Sequence, residues 1–205
     1  MKDRLINVAT EASPILLLAH GAGAGMDSHF LEYYTQGMVR KGVTVIRFCF
    51  PYMHTIRKTQ KRRPPDRWEV LQESFRKEID RLEGEAVIAG KSMGGRVAST
   101  ILSHKNIKGG ICLGYPFHPP KKNNKLRIAH LGTIKKEMLI IQGSRDPFGT
   151  KGESLSQYLS ESTQMRWLED GNHDFVPRKS SGHTWEQHMN QAIEWSAAFI
   201  HQLFL

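Results

Sequence analysis

Cysteine is scarce in these 205 residues: Cys49 and Cys112 are the only two, each set inside an apolar run. That argues against a disulfide-dense scaffold and suits reduced core thiols in a cytoplasmic protein. Long apolar stretches are missing as well. Nothing approaches the ~18 consecutive apolar residues of a membrane span. The run Pro14–Ala19 is too short and too late for a secretory signal, so no membrane association is expected. The ten histidines show no ligand spacing backed by partner residues, so neither a metal nor a cofactor is expected. No internal repeat or low-complexity linker divides the chain, and residues 1–205 read as one domain.

Positive charge is what the chain has in excess, a net of +9. It gathers in Arg57-Lys58, Lys61-Arg62-Arg63 and Arg67, and again in Lys121-Lys122, Lys125 and Arg127. Neither run is interleaved with aromatics and neither forms a recognition helix, so no nucleic-acid partner is expected. Solvated loops are the plain reading.

Short apolar runs alternate with helical patterns from one end to the other. Ile15–Ala19, Val43–Phe50, Glu85–Ala89, Ile111–Leu113, Met138–Ile141 and Met165–Leu168 read as strands, and the first dozen residues have room for a short edge strand. Helices are expected at about Ser28–Arg40, after Asp66, at Met93–His104 and at Thr184–Leu203. Asp66 with Glu69 makes a capping-box-like start, and Trp68, Leu71, Phe75, Ile79 and Leu82 follow at helical spacing. Pro51–Pro65 reads as a long loop. Such alternation predicts an α/β protein with a mostly parallel sheet of six to seven strands, helices on both faces and no room for a large lid.

The stretch Ala89-Gly90-Lys91-Ser92-Met93-Gly94-Gly95-Arg96 fits two motifs. As a phosphate loop it fails, because the glycine required five places before Gly90 is Glu85 and the residues between are strand-like. The loop Gly21-Ala22-Gly23-Ala24-Gly25 fails similarly as a dinucleotide fingerprint, since Met26 stands where the third glycine belongs and no acidic residue ends the next strand. As a nucleophile elbow the stretch passes. A strand precedes Ser92, a helix follows, and Gly90 and Gly94 leave room for the tight turn.

A serine hydroxyl needs a base, and the base an orienting acid. Asp146 follows the strand Met138–Ile141 and His173 follows Met165–Leu168, which puts both at the same end of the sheet as Ser92. His183 is the runner-up base. An oxyanion requires two N–H donors; Met93 supplies one, and Ala22, flanked by Gly21 and Gly23, the other. His20 is expected to fix that loop by hydrogen bonding.

The segments "LAHGAGAGMDS", "RRPPDR", "AGKSMGGR", "GYPFHPP", "IQGSRDPFG" and "DGNHDF" together resemble the α/β-hydrolase superfamily over essentially the whole chain. The closer resemblance is to small hydrolases related to dienelactone hydrolase and to the testis-expressed and NSL-complex hydrolase-like proteins. It implies a triad of Ser92, Asp146 and His173, in agreement with the residues read on their own. Dienelactone hydrolase proper carries Cys where this chain has Ser92.

Two functions follow. One is a cofactor-independent serine hydrolase for a small ester or thioester, and the other a non-catalytic binding or scaffold protein on the same fold. The joint presence of Ser92, Asp146, His173 and the glycine loop favours the enzyme. Pro51–Pro65 and Tyr115–Lys136 should rim the site, and their basic residues, Arg62, Arg63 and Lys122 among them, suggest an anionic acyl substrate.

Overall fold

The computed structural model describes residues 3–205. Within these residues seven strands form one sheet in the order β1-β3-β2-β4-β5-β6-β7. They are β1 Arg4–Asn7, β2 Ile15–Ala19, β3 Thr44–Phe48, β4 Ala86–Lys91, β5 Ile107–Leu113, β6 Glu137–Gly143 and β7 Thr163–Leu168. The edge strand β1 runs antiparallel to β3 and every other pairing is parallel. The α/β architecture expected from the alternating pattern is therefore present, edge strand included.

Burial on both faces explains the strand composition. Leu16 and Leu18 of β2 pack on one face with Leu31, Tyr34 and Met38 of α1 (His29–Arg40) and with Met189, Ile193 and Ile200 of α5 (Trp185–Leu203). Leu17 and Ala19 point the other way, into the layer of Leu71, Phe75 and Ile79 from α3 (Trp68–Asp80) and Val97 and Ala98 from α4 (Met93–Ser99). The two-residue alternation of side chains puts neighbours in opposite layers, and both layers are apolar, so the strands read as unbroken hydrophobic runs. Gly37 belongs to this packing: a Cβ there would come within 2.3 Å of Ile193.

Four of the expected readings change for a clear local reason. Pro51–Thr59 is a helix, α2, and not a loop; Pro51 occupies its first turn, where a missing N–H costs nothing. Tyr52 and Met53 bury its inner face. Asp66 does not cap α3, whose N-cap is Arg67 without a side-chain bond. Its Oδ2 instead accepts the Tyr52 N–H at 2.7 Å, closing the first turn of α2. Helix α4 stops at Ser99, short of His104. Strand β5 begins at Ile107, four residues before the expected start, because Gly109 and Gly110 continue the ladder. Their strand-weakening lack of a side chain is used for packing: a Cβ at either would press on Leu203 or Leu102 at 2.7 and 2.6 Å.

The chain leaves β2 toward β3 on one side and returns to β4 on the other. A crevice therefore opens between the carboxyl ends of β2 and β4, where Ala19 lies opposite Gly90. Open parallel sheets bind ligands at such a switch point.

Candidate active site

Ser92 sits between β4 and α4 with φ 51° and ψ −115°. A non-glycine residue held there costs about 1–3 kcal/mol and persists only where its surroundings impose it. The imposing contacts are visible. The Ser92 N–H donates to the Leu113 carbonyl at 2.9 Å, fastening the turn to β5. A Cβ on Gly90 would lie 2.2 Å from the Gly94 carbonyl carbon, and one on Gly95 would lie 2.6 Å from the Gly90 oxygen. Gly94 is constrained from elsewhere, since its Cβ would meet the His20 oxygen at 2.5 Å. Three glycines thus allow the turn; the motif alone pointed to two.

Around Ser92 the structure assembles the residues expected from later loops. His173 Nε2 lies 2.8 Å from Ser92 Oγ, and His173 Nδ1 lies 2.7 Å from Asp146 Oδ2. Asp146 is completely buried. Its other oxygen accepts the Phe148 N–H at 2.8 Å. A carboxylate so held must accept the imidazole Nδ1–H, which leaves Nε2 as the acceptor facing the serine. The Phe148 ring packs against the imidazole with centroids 4.3 Å apart. His183 stays away from this group and lies instead against His188, in a separate hollow beside Trp167 and Trp195.

The glycine loop lies opposite. His20 is buried, with Nδ1 2.7 Å from the Gly21 carbonyl and Nε2 accepting the Phe50 N–H at 3.0 Å. Burial lowers its pKa to about 4, so it is a neutral imidazole with both nitrogens engaged. The Tyr52 hydroxyl is placed 3.1 and 3.2 Å from the carbonyls of Gly21 and Ala22. Among the described residues neither Ala22 nor Met93 donates its N–H to a main-chain acceptor outside the helices and strands; as the first residue of α4, Met93 has no intrahelical partner.

A cleft of about 440 Å³ opens over Ser92 and His173, lined by the 21–24 loop, Ser28, Phe30, Leu31, Lys91, Phe148 and Asp174. Arg62, Arg63 and Lys122 do not line it, and neither Pro51–Pro65 nor Tyr115–Lys136 contributes to its wall. Segment 51–65 supports the site from behind, through Tyr52.

Sequence reasoning missed three supporting residues. Gln142, fully buried at the end of β6, donates from Nε2 to Asp146 Oδ2 at 2.9 Å and accepts the Tyr115 N–H at 2.7 Å. Gly143 lets the histidine loop cross β6, since a Cβ would lie 2.3 Å from the Asn172 oxygen. Lys91 donates from Nζ to the His173 carbonyl at 2.9 Å, across 82 residues of sequence. A polar residue ending an otherwise apolar strand was the available signal for Gln142 and Lys91.

Asp170 anchors the start of the histidine loop. Its carboxylate accepts the Arg178 N–H and Nε, each at 2.8 Å, and faces Arg145. The Arg178 hydrogen bonds hold its pKa down at about 2. A carboxyl depressed below its unfolded value of ~3.9 stabilises the fold above that value, and the contribution is lost as pH falls through the folded value. The loop should therefore loosen between about pH 4 and pH 2, and Asp170→Asn should remove that part of the acid transition. Chemical denaturation followed at stepped pH would detect the difference; identical acid limbs would contradict it.

The seven-stranded topology, the elbow and the crevice at the switch point agree with one family comparison. Residues 12–201 match the alpha/beta hydrolase domain. The chain belongs to the alpha/beta hydrolase domain family. Solved structures repeat this fold. A dienelactone hydrolase from Anabaena variabilis superposes with a TM-score of 0.71 at 16% identity, covering 97% of this chain and 90% of that one. Est1E from Butyrivibrio proteoclasticus gives 0.65 at 16% identity, covering 98% and 93%. Mouse alpha/beta hydrolase domain-containing protein 10 gives 0.67 at 11% identity, covering 98% and 94%. The resemblance expected from the motifs is thus present across the chain. Among the described residues no cluster of three or more His, Cys, Asp or Glu could hold a metal, and no helix is long and apolar enough to cross a membrane.

Proposed function

We propose that this protein is a serine hydrolase that cleaves an ester or thioester through an acyl-enzyme, with Ser92, His173 and Asp146 as its triad. The observation that carries the proposal is the unbroken line from Asp146 Oδ2 through the two nitrogens of His173 to Ser92 Oγ, with steps of 2.7 and 2.8 Å. Three further features support it: the strained elbow, the Met93 and Ala22 N–H groups, and membership in a family of hydrolase folds.

The chemistry follows from the residues. His173 Nε2 removes the hydroxyl proton as Ser92 Oγ attacks the acyl carbon. The oxyanion of the tetrahedral intermediate is received by the Met93 and Ala22 N–H groups, and one such donor is worth about 3–4 kcal/mol in kcat. The imidazolium, stabilised by Asp146, returns the proton to the leaving alcohol or thiol. Water then attacks the acyl carbon while His173 takes its proton, and the second tetrahedral intermediate collapses by breaking the bond to Ser92 Oγ, which takes the proton back from His173 as the carboxylic acid leaves.

Stopped-flow hydrolysis of p-nitrophenyl acetate tests the covalent step. The expected trace is a burst of p-nitrophenol of about one equivalent per chain when deacylation is the slower step, with an acetylated Ser92 peptide in the quenched sample. Turnover without any acetylated serine would sink the acyl-enzyme.

A further inference from the structure

We propose that Lys91 makes the cleft beside Ser92 a site for acyl substrates that carry a second, free carboxylate, such as half-esters of dicarboxylic acids; the inference rests on Ser92 being the acyl acceptor. Lys91 ends β4 immediately before the elbow and lines the cleft, while its side chain is only 9% exposed. A surface lysine would leave its ammonium in water. This one has been taken out of water, and burial lowers its pKa while the facing Asp174 and the nearby Asp146 work to keep it charged.

The ammonium is incompletely partnered. It has three N–H donors, and the described residues supply two acceptors, the His173 carbonyl at 2.9 Å and Asp174 Oδ1 at 3.2 Å. The first belongs to the backbone and is fixed. The second is a loop carboxylate that is 67% exposed, so it can move aside for, or share the ammonium with, an arriving carboxylate. Asp146 does not compete, because it is wholly buried and holds its own donors from His173, Gln142 and Phe148.

Other features of the same wall fit an anion. Helix α1 opens onto the cleft at its Ser28 N-cap, and the N–H groups of His29 and Phe30 in its first turn have no intrahelical acceptor. Phe30, whose ring centroid lies 5.4 Å from Lys91 Nζ, offers apolar surface for the methylene chain between the two carboxyl carbons. The desolvation of Lys91 has already been met in folding, so the cation is preorganised for an anionic partner. Recognition at this range differs from steering by the exposed basic runs, which lie off the cleft and would be weakened by salt.

The test compares monoethyl adipate with ethyl hexanoate by proton release, taking the ratio of their kcat/KM values in each variant. Wild type should favour the half-ester. Lys91→Met should lower the ratio by about tenfold or more, the scale of one hydrogen bond to a charged group. Lys91→Arg should largely preserve it, and Asp174→Asn should raise it by freeing the ammonium. If Lys91→Met slows both esters by the same factor, Lys91 only anchors the His173 carbonyl and the proposal is overturned. Calorimetric binding of monoethyl adipate to S92A and to S92A/K91M separates this inference from the triad. Weaker binding by the double variant supports the carboxylate site even if wild type proves inactive, an outcome that would overturn the hydrolase reading alone. Equal binding overturns the carboxylate site whatever the turnover.

Discussion

Ser92→Ala is expected to lower kcat for ester hydrolysis by about 10⁶-fold, because the nucleophile and its base act as a unit. His173→Ala should cost about as much, and the double variant little more than either alone. The fold should survive the change. The elbow is held by the Ser92 N–H to the Leu113 carbonyl and by the clearance at Gly90 and Gly95, none of which uses the hydroxyl. Circular dichroism and melting temperature should therefore match wild type. Some rate above water should remain if the proposed Met93 and Ala22 donors receive the oxyanion; residual accelerations of ~10³–10⁴ are usual when a triad is broken and its oxyanion site is kept. A variant that retains a tenth of wild-type kcat would show that another group is the nucleophile.

Asp146→Asn should reduce kcat by about 10⁴-fold, the scale of loss when the histidine is left in the wrong tautomer. Asp146 Oδ2 accepts from both His173 Nδ1 and Gln142 Nε2, and Oδ1 accepts from the Phe148 N–H. An asparagine cannot reproduce this. With its amide nitrogen toward His173, it also faces the Gln142 N–H and forces the imidazole to carry its proton on Nε2, where it cannot take the serine's. Turned over, its nitrogen faces the Phe148 N–H at a completely buried position. Either orientation leaves buried donors opposed, which should also cost about 1–3 kcal/mol of stability. Steady-state kinetics and urea denaturation on the same preparation would check both. A loss under tenfold would show that Asp146 does not orient the base.

How far the sequence could be read depends on which contacts are local. The elbow is legible because its backbone conformation depends on residues two and three places from Ser92, so the motif carries its own reason. The placement of Asp146 and His173 is legible for a different cause. Parallel strands share one carboxyl end, so residues directly after β4, β6 and β7 must meet there. His183, fifteen residues beyond β7, has no such constraint, and it lies against His188.

The parts that escaped are those decided by distant partners. Asp66 and Glu69 match a helix start, yet the Tyr52 N–H, fourteen positions earlier, claims Asp66. Pro51 reads as a loop residue, although a proline in the first helical turn is equally well placed, and only the burial of Tyr52 and Met53 separates the two. Gly109 and Gly110 look like a break in β5 until Leu203 and Leu102 are seen filling the space above them. The basic runs drew attention by their number. Among the described residues the one cation lining the cleft is Lys91, marked in sequence only by being a charged residue at the end of a buried strand.

The most direct test of the account is fluorophosphonate labelling of folded wild type and Ser92→Ala, read by intact mass and peptide mapping. The probe reports an activated serine without requiring the natural substrate. One adduct per wild-type chain, located on Ser92 and absent from the variant, is the predicted result. Folded wild type that takes no label, or a variant that labels as well as wild type, would contradict a triad built on Ser92.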